Sequence, residues 1–260
     1  MTTSITKNRT VKRIAIKLAV AVFWLAVWQV AYLITAQELL IVSPVRAFLR
    51  LLELSGEAKF WQAIFSSCSR IVSGFILAMF TGIFLAVLTA WSRTLYALFS
   101  PILNIIRATP VASFIILALV WFHRDKVPVF LTFLMVTPVV WVNMYSGIQN
   151  VDKNLLEMAE VFRLPLLKRI SFIYIPSVMP YFVAACSNGL GFAWKSGIAA
   201  EIIALPKSAI GKQIYNSKIY LETQDLFAWT IAVILLSVLI EHAAMWGLRR
   251  LERKIVKGRL

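Results

Sequence analysis

The chain has 260 residues, of which 60% are hydrophobic and 15% charged, with a mean hydropathy of +0.79 and a formal net charge of +15. Soluble domains carry roughly 25% charged residues, so this composition excludes an ordinary soluble fold. The positive balance does not require nucleic acid: basic flanks on anionic lipid account for it, and no compact basic domain with interleaved exposed aromatics interrupts the chain.

Residues 1–17 form a basic tail. The uncharged stretch 18–36 that follows is about long enough to cross a hydrocarbon core of ~30 Å and exceeds the apolar region of a signal peptide, so an uncleaved anchor is expected. Ser43 and Pro44 then read as a helix start, and Val45, Phe48, Leu49 and Leu52 recur at helical spacing, which predicts an amphipathic helix on the outer surface. A second span is expected over 71–91, where Ser73, Gly74, Ala78, Gly82 and Ala86 supply the small residues that close helix packing in a membrane prefers. Arg107 and Pro110 open a third, shorter span over 108–122. An uncharged fourth covers 127–148. Two more are interrupted by charge: 180–200 contains Lys195, and 226–248 contains Glu241 and His242. The reading is an all-α polytopic membrane protein with about six transmembrane helices. Its domains are a membrane domain over 18–248 and basic tails at 1–17 and 249–260.

An even number of spans puts both termini on one side, and Lys and Arg choose the side. With the termini cytoplasmic, the inside segments hold seventeen of the 27 basic residues and the outside segments nine, with Lys195 alone inside a span. Arg107 counts among the cytoplasmic residues in this topology. So does the polar island 150–179, where Leu155, Met158, Ala159 and Phe162 share one helical face and Glu157, Glu160 and Arg163 lie off it. Pro165 is expected to interrupt that helix. Leu166, Leu167, Ile170, Ile173 and Tyr174 then form a second apolar face with Lys168 and Arg169 exposed. Two short helices joined at a proline, placed where a membrane protein meets a soluble partner, are the result.

The residues Glu157, Ala159, Ile173 and Pro176 resemble the coupling loop of ATP-binding-cassette importer permeases. That loop reads Glu-Ala-Ala, three residues, Gly, nine residues, then Ile-x-Leu-Pro, and the spacing agrees throughout. Met158 stands for Ala, Arg163 for Gly and Ile175 for Leu. The glycine permits a turn in the family, so with Arg163 in its place the bend is expected at Pro165. The run from Gly189 through Trp194 and Lys195 to Glu201, together with Leu205, Pro206, Gly211, Ile219, Tyr220 and the segment 223–229, resembles the permeases of the nitrate, sulfonate and taurine type. So does the Arg107 to Pro110 entry.

This resemblance implies two permease copies, two cytoplasmic ATPase subunits docked on the loop 150–179, an extracytoplasmic solute-binding protein, and a bacterial inner-membrane location in contact with lipid. The chain would bind no cofactor of its own, with ATP on the partner subunit. No Gly-x-x-x-x-Gly-Lys-Ser/Thr loop is present to cradle phosphates. The substrate would be a small anionic solute such as an aliphatic sulfonate, taurine or nitrate, with riboflavin and thiamine pyrimidine precursors as alternatives within the class. Glu157, Met158, Ala159, Phe162, Arg163, Pro165, Ile173 and Pro176 are the expected ATPase-coupling residues, Ala159 packing in the ATPase cleft. Lys195 and Glu201 are candidates for the translocation pathway.

Lys195 falls about 22 Å along a core of ~30 Å, where a charge needs water or a partner. Glu201 is a poor partner within the same helix, because six residues leave the two side chains roughly 120° apart. Lys195 therefore either reaches the outer interface or another helix, or faces the pathway and attracts an anion, with Trp194 turned to a packing surface. A membrane-embedded enzyme is the competing class, carried only by His123 and Asp125. Residues two apart do not face each other on a helix, and no nucleophile or metal set accompanies them. Cys68 and Cys186 fit no metal or disulfide framework, and neither His123 nor His242 has a companion at metal-ligand spacing. A lipid-packed scaffold without transport is the third reading, and it needs no coupling loop.

Overall fold

The computed structural model describes residues 3–257; the extremities of the two basic tails, 1–2 and 258–260, lie outside the described residues. Eleven α-helices and one π turn account for nearly all of this stretch, and no strand occurs among the described residues. In chain order the helices are α1 (Thr3–Thr35), α2 (Pro44–Ser55), α3 (Ala58–Trp91), α4 (Arg93–Ala108), α5 (Val111–Trp121), α6 (Val127–Gln149), α7 (Lys153–Val161), α8 (Leu166–Arg169), α9 (Ile175–Ala204), α10 (Ile210–Ile219) and α11 (Thr223–Lys257). Among the described residues five runs are long and apolar enough to cross a membrane, and α4 with α5 makes a sixth if that bent pair is one span.

The third span is where the architecture departs from the expected 108–122 helix. Helices α4 and α5 meet at 106° across Thr109 and Pro110. The cause is local. Proline clashes with a helical predecessor, and Thr109 is accordingly extended at φ −80, ψ 137. Pro110 has no N–H to continue the ladder. The fifth span also differs, because it does not begin at 180: α8, a π turn over Ile170–Tyr174 and α9 form one run of 39 residues, Leu166–Ala204. The ring of Pro176 would crowd the carbonyl four residues earlier, and the wider turn, in which Ile175 N–H donates to Ile170 O, lets the helix pass through.

The chain divides into two compact units, 1–60 with 213–232, and 61–212 with 233–260. In the first, Ser43 caps α2 by accepting from Arg46 N at 3.3 Å, and Pro44 opens the helix. Arg50 grips Asp225 with two bonds, Nε to Oδ1 at 2.5 Å and Nη2 to Oδ2 at 3.1 Å. Trp28 Nε1 donates to Val42 O at 3.0 Å, and its ring stacks on Phe227. Helix α2 buries Pro44, Ala47 and Leu54. Its stripe of Val45, Phe48, Leu49 and Leu52 is exposed, so this face is turned away from the chain's own core.

In the second unit α6 is the central helix, with Leu131, Val136 and Val140 fully buried. Small residues on α3 let it approach: a Cβ on Gly74 would lie 2.5 Å from Val129 O, and one on Gly82 2.7 Å from Val140 Cβ. Ala78 and Ala86 are fully buried on the same stripe, whereas Ser73 is exposed and bonds Ser69 O of its own helix. Helices α5, α6 and α9 share a core built on Ile115, Ala118, Leu131 and Ala200. Tyr96 of α4 stacks on Trp141 and Tyr145 of α6, and Trp141 Nε1 donates to Thr89 Oγ1 of α3 at 3.0 Å.

Candidate functional site

Asp152 starts the loop helix α7, its carboxylate accepting from Asn154 N at 2.9 Å. The helix ends in a left-handed turn. Arg163, at φ 47, donates its N–H to Glu160 O at 2.9 Å, and Leu164 N–H reaches Ala159 O at 2.9 Å. These are the two bonds of a Schellman motif, whose left-handed position glycine normally fills. Arg163 thus takes up the glycine conformation rather than displacing it, at a cost of about 1 kcal/mol. Pro165 does not make the bend. It follows the turn in extended conformation, φ −63 and ψ 152, and caps α8.

The docking face also rotates from its expected setting. Ala159 has no exposed surface, while Met158 (45%) and Phe162 (71%) stand outward with Leu155 and Glu157. Ala159 is therefore an internal contact, and larger neighbours present the apolar surface. Ile173 is buried, Ile175 partly exposed and Pro176 half-buried at the start of the long span.

A second feature lies within the bundle. A cavity of about 560 Å³ opens between the α4–α5 bend, α6 and α9, and both Arg107 and Lys195 line it. Arg107, counted from sequence as a cytoplasmic residue, reaches this wall because α4 ends at the bend. Neither cation forms an ion pair among the described residues, and both are exposed. Asn143, Asn188, Thr109 and Ser196 add polar groups, and Met135, Val139 and Phe192 an apolar wall. Asn143 Nδ2, Thr109 Oγ1 and Ser196 Oγ each donate at 2.8 Å to a carbonyl four residues back, which leaves the two hydroxyls to act as acceptors, while the Asn143 amide can accept at Oδ1 and donate its second hydrogen. No carboxylate is among the lining residues. Trp194 turns away, with Nε1 donating to Val233 O at 3.1 Å.

Glu201 does not share this cavity. Its carboxylate, with no exposed surface, accepts from Ser67 Oγ at 2.7 Å, Gly211 N at 3.2 Å and Arg70 Nη1 at 3.4 Å. Arg70 continues to Lys207 O at 2.6 Å and Asp125 Oδ1 at 3.4 Å, and Asp125 accepts from Lys207 N at 2.8 Å. The reason is the helical phase already noted, which turns Glu201 away from Lys195 toward α3. Asp125, the acid of the enzyme reading, is a brace in this network, and no group of His, Cys, Asp and Glu able to hold a metal occurs among the described residues. Sequence reasoning missed Arg107, Asn143 and Asn188 as cavity residues. The two asparagines carried a signal, as amides inside apolar spans, whereas the place of Arg107 depends on the 106° bend.

The family described as binding-protein-dependent transport system inner membrane component matches residues 78–257. The chain belongs to this family. Among curated relatives, the permease is 27% identical over 237 residues to a protein described as an aliphatic sulfonates transport permease, SsuC of Bacillus subtilis (strain 168), covering 90% of this chain and 84% of that one. It is 24% identical to the taurine transport system permease TauC of Escherichia coli (strain K12), covering 88% and 83%. Its fold is that of an amino acid ABC transporter crystallised with histidines, at TM-score 0.60 and 17% identity, over 80% of this permease and 96% of that chain.

Proposed function

We propose that the permease conducts a small organic anion of the sulfonate class through a pathway lined by Arg107 and Lys195. Two unpaired cations on one cavity with no acidic residue among its lining are the observation that carries this reading. Two like charges on one cavity, with no acid beside them to neutralise either, attract an anion more strongly together than one alone would. An amino group on the same solute finds acceptors in Asn143, Thr109 and Ser196. The sulfonate and taurine descriptions of SsuC and TauC point the same way.

In this reading the chain is one of two permease copies in a bacterial inner membrane, with both termini cytoplasmic and a solute-binding protein on the outer side. ATP is bound and hydrolysed by separate subunits that dock on Leu155, Met158 and Phe162 of α7. Closure of the ATPase pair draws the two loops together, and rigid-body rocking turns the cavity outward. The test is reconstitution with the ATPase and binding protein. An alkanesulfonate stimulates ATP hydrolysis and accumulates in the vesicles, while riboflavin does neither; the reverse outcome removes the anion assignment.

A further inference from the structure

The turn between α9 and α10 is held in a crowded backbone conformation. Leu205 and Ser208 both stand in the left-handed region, at φ 53 and φ 46, where a side chain presses on its own carbonyl. Bonds from other elements fix the turn there. Arg70 Nη2 donates to Lys207 O at 2.6 Å, Lys207 N to Asp125 Oδ1 at 2.8 Å, Ile210 N to Ser67 Oγ at 2.9 Å and Gly211 N to the Glu201 carboxylate at 3.2 Å. Strain over-determined by its surroundings in this way points to a use for what the turn presents.

It presents charge. The bond to Asp125 sets Lys207 beside the 122–126 loop, which carries Arg124 and Lys126, and Lys212 follows in the first turn of α10. Arg124, Lys126 and Lys207 are exposed and Lys212 partly so, and none of these side chains is in an ion pair among the described residues. No acid is free to neutralise them. Over 61–149 and 180–212 the only carboxylates are Asp125 and Glu201. Glu201 is fully buried, and Asp125 is taken up by Arg70, Lys207 N and His123. In the orientation proposed above this face is outside, where loops are ordinarily poor in Lys and Arg, so membrane topology does not account for the charge.

Shape and place select the partner. Cations spread over two exposed loops do not enclose a small solute, which needs a concave site. Lys126 stands at the start of α6, the central helix, and Lys207 just past the end of α9, which shares a core with α6, so the patch covers the end of the bundle rather than a lipid-facing flank. A second copy would set like charges against like.

We infer that the face formed by 123–126 and 205–212 receives a carboxylate-bearing face of the solute-binding protein. The partner's identity rests on the function proposed above; the fixed and unneutralised basic face does not.

The experiment uses the permease–ATPase complex in phosphatidylcholine nanodiscs and the solute-binding protein, empty and loaded with an alkanesulfonate, and follows association and dissociation by surface plasmon resonance. Lys207→Glu and Arg124→Glu leave the backbone bonds of the turn in place. Each slows association about tenfold and changes dissociation less than about threefold, as expected for charges that steer an encounter. Raising salt from about 50 to about 300 mM slows association with the natural complex and has little effect on the double variant. Arg93→Glu, at the far end of α3 from Arg70, changes neither rate. Unchanged rates in Lys207→Glu and Arg124→Glu, or salt-independent association, overturn the inference. So does binding of free alkanesulfonate by the natural complex that both variants lose, which would make the face an entry site for the solute. Labelling of Lys207→Cys by an impermeant maleimide from the side on which a protease digests 249–260 also overturns it. Binding rates need no transport, so a failure of the sulfonate to stimulate ATP hydrolysis with these rates intact removes the anion assignment alone.

Discussion

The Ser67 hydroxyl donates to the buried Glu201 carboxylate at 2.7 Å and at the same time accepts from Ile210 N–H at 2.9 Å. One side chain of α3 thereby holds the end of α9 against the start of α10, across a turn that carries two left-handed non-glycine residues, Leu205 and Ser208. Ser67→Ala leaves Ile210 N–H unpaired and is expected to cost about 1–3 kcal/mol. Glu201→Leu removes the hub of the network and costs about 3–5 kcal/mol. Thermal unfolding of the purified permease checks both. Because the role is bracing, Glu201→Gln retains uptake per folded molecule; loss of uptake at an unchanged melting temperature would return Glu201 to the pathway.

The left-handed turn at Arg163 ranks three substitutions. Arg163→Gly relieves about 1 kcal/mol and leaves coupling intact, whereas Arg163→Val places a β-branched residue where it fits worst and weakens coupling. Pro165→Ala has little effect, because Pro165 follows the bend instead of making it. The ratio of ATP hydrolysed to solute imported orders the variants. Strong uncoupling by Pro165→Ala with a silent Arg163→Val would mean that the turn re-forms when the ATPase docks.

On α7, exposure separates binding from folding. Phe162→Ala removes an outward aromatic, and such anchors carry about 2 kcal/mol or more, so ATPase affinity drops on the order of 30-fold at an unchanged melting temperature. Ala159→Arg forces a charge into a fully buried site and lowers the melting temperature as well. Co-purification with the ATPase beside a thermal scan distinguishes the two. Equal thermal stability of both variants would contradict the inward setting of Ala159.

Span existence and the loop were legible because each rests on local pattern: apolar length for 18–36, 71–91 and 127–148, and fixed spacing from Glu157 to Pro176. The facing of residues was less so. A stripe such as Leu155, Met158, Ala159 and Phe162 states which residues share a side of a helix, and tertiary packing decides which edge of that side turns inward. Arg163 hid its role because the left-handed position is a backbone demand that arginine meets at modest strain. The joint placement of Arg107 and Lys195 depends on the bend at Thr109 and Pro110, which brings residues 88 positions apart in the sequence onto one wall.

That wall gives the sharpest prediction. If Arg107 and Lys195 hold one anion together, removing either charge weakens import of a sulfonate more than removing any nearby neutral group. A hydrogen bond to a charged partner contributes about 1.5–3 kcal/mol, so Lys195→Met and Arg107→Met each reduce apparent affinity on the order of 10- to 100-fold. Lys195→Arg keeps the charge and retains most of the import. Asn188→Ala, on the same wall but neutral, costs less than tenfold. A shared ligand also makes the pair non-additive: once one cation is gone the anion loses its two-sided hold, and the double variant falls by less than the product of the single losses. Raising salt weakens import by the natural permease more than by the double variant, because only the former presents the paired charges. Uptake into vesicles at matched insertion and matched ATPase binding measures all of these. Strictly multiplicative losses would place the two cations at separate steps of transport, and an unaffected Lys195→Met would leave Lys195 as an interfacial residue outside the pathway.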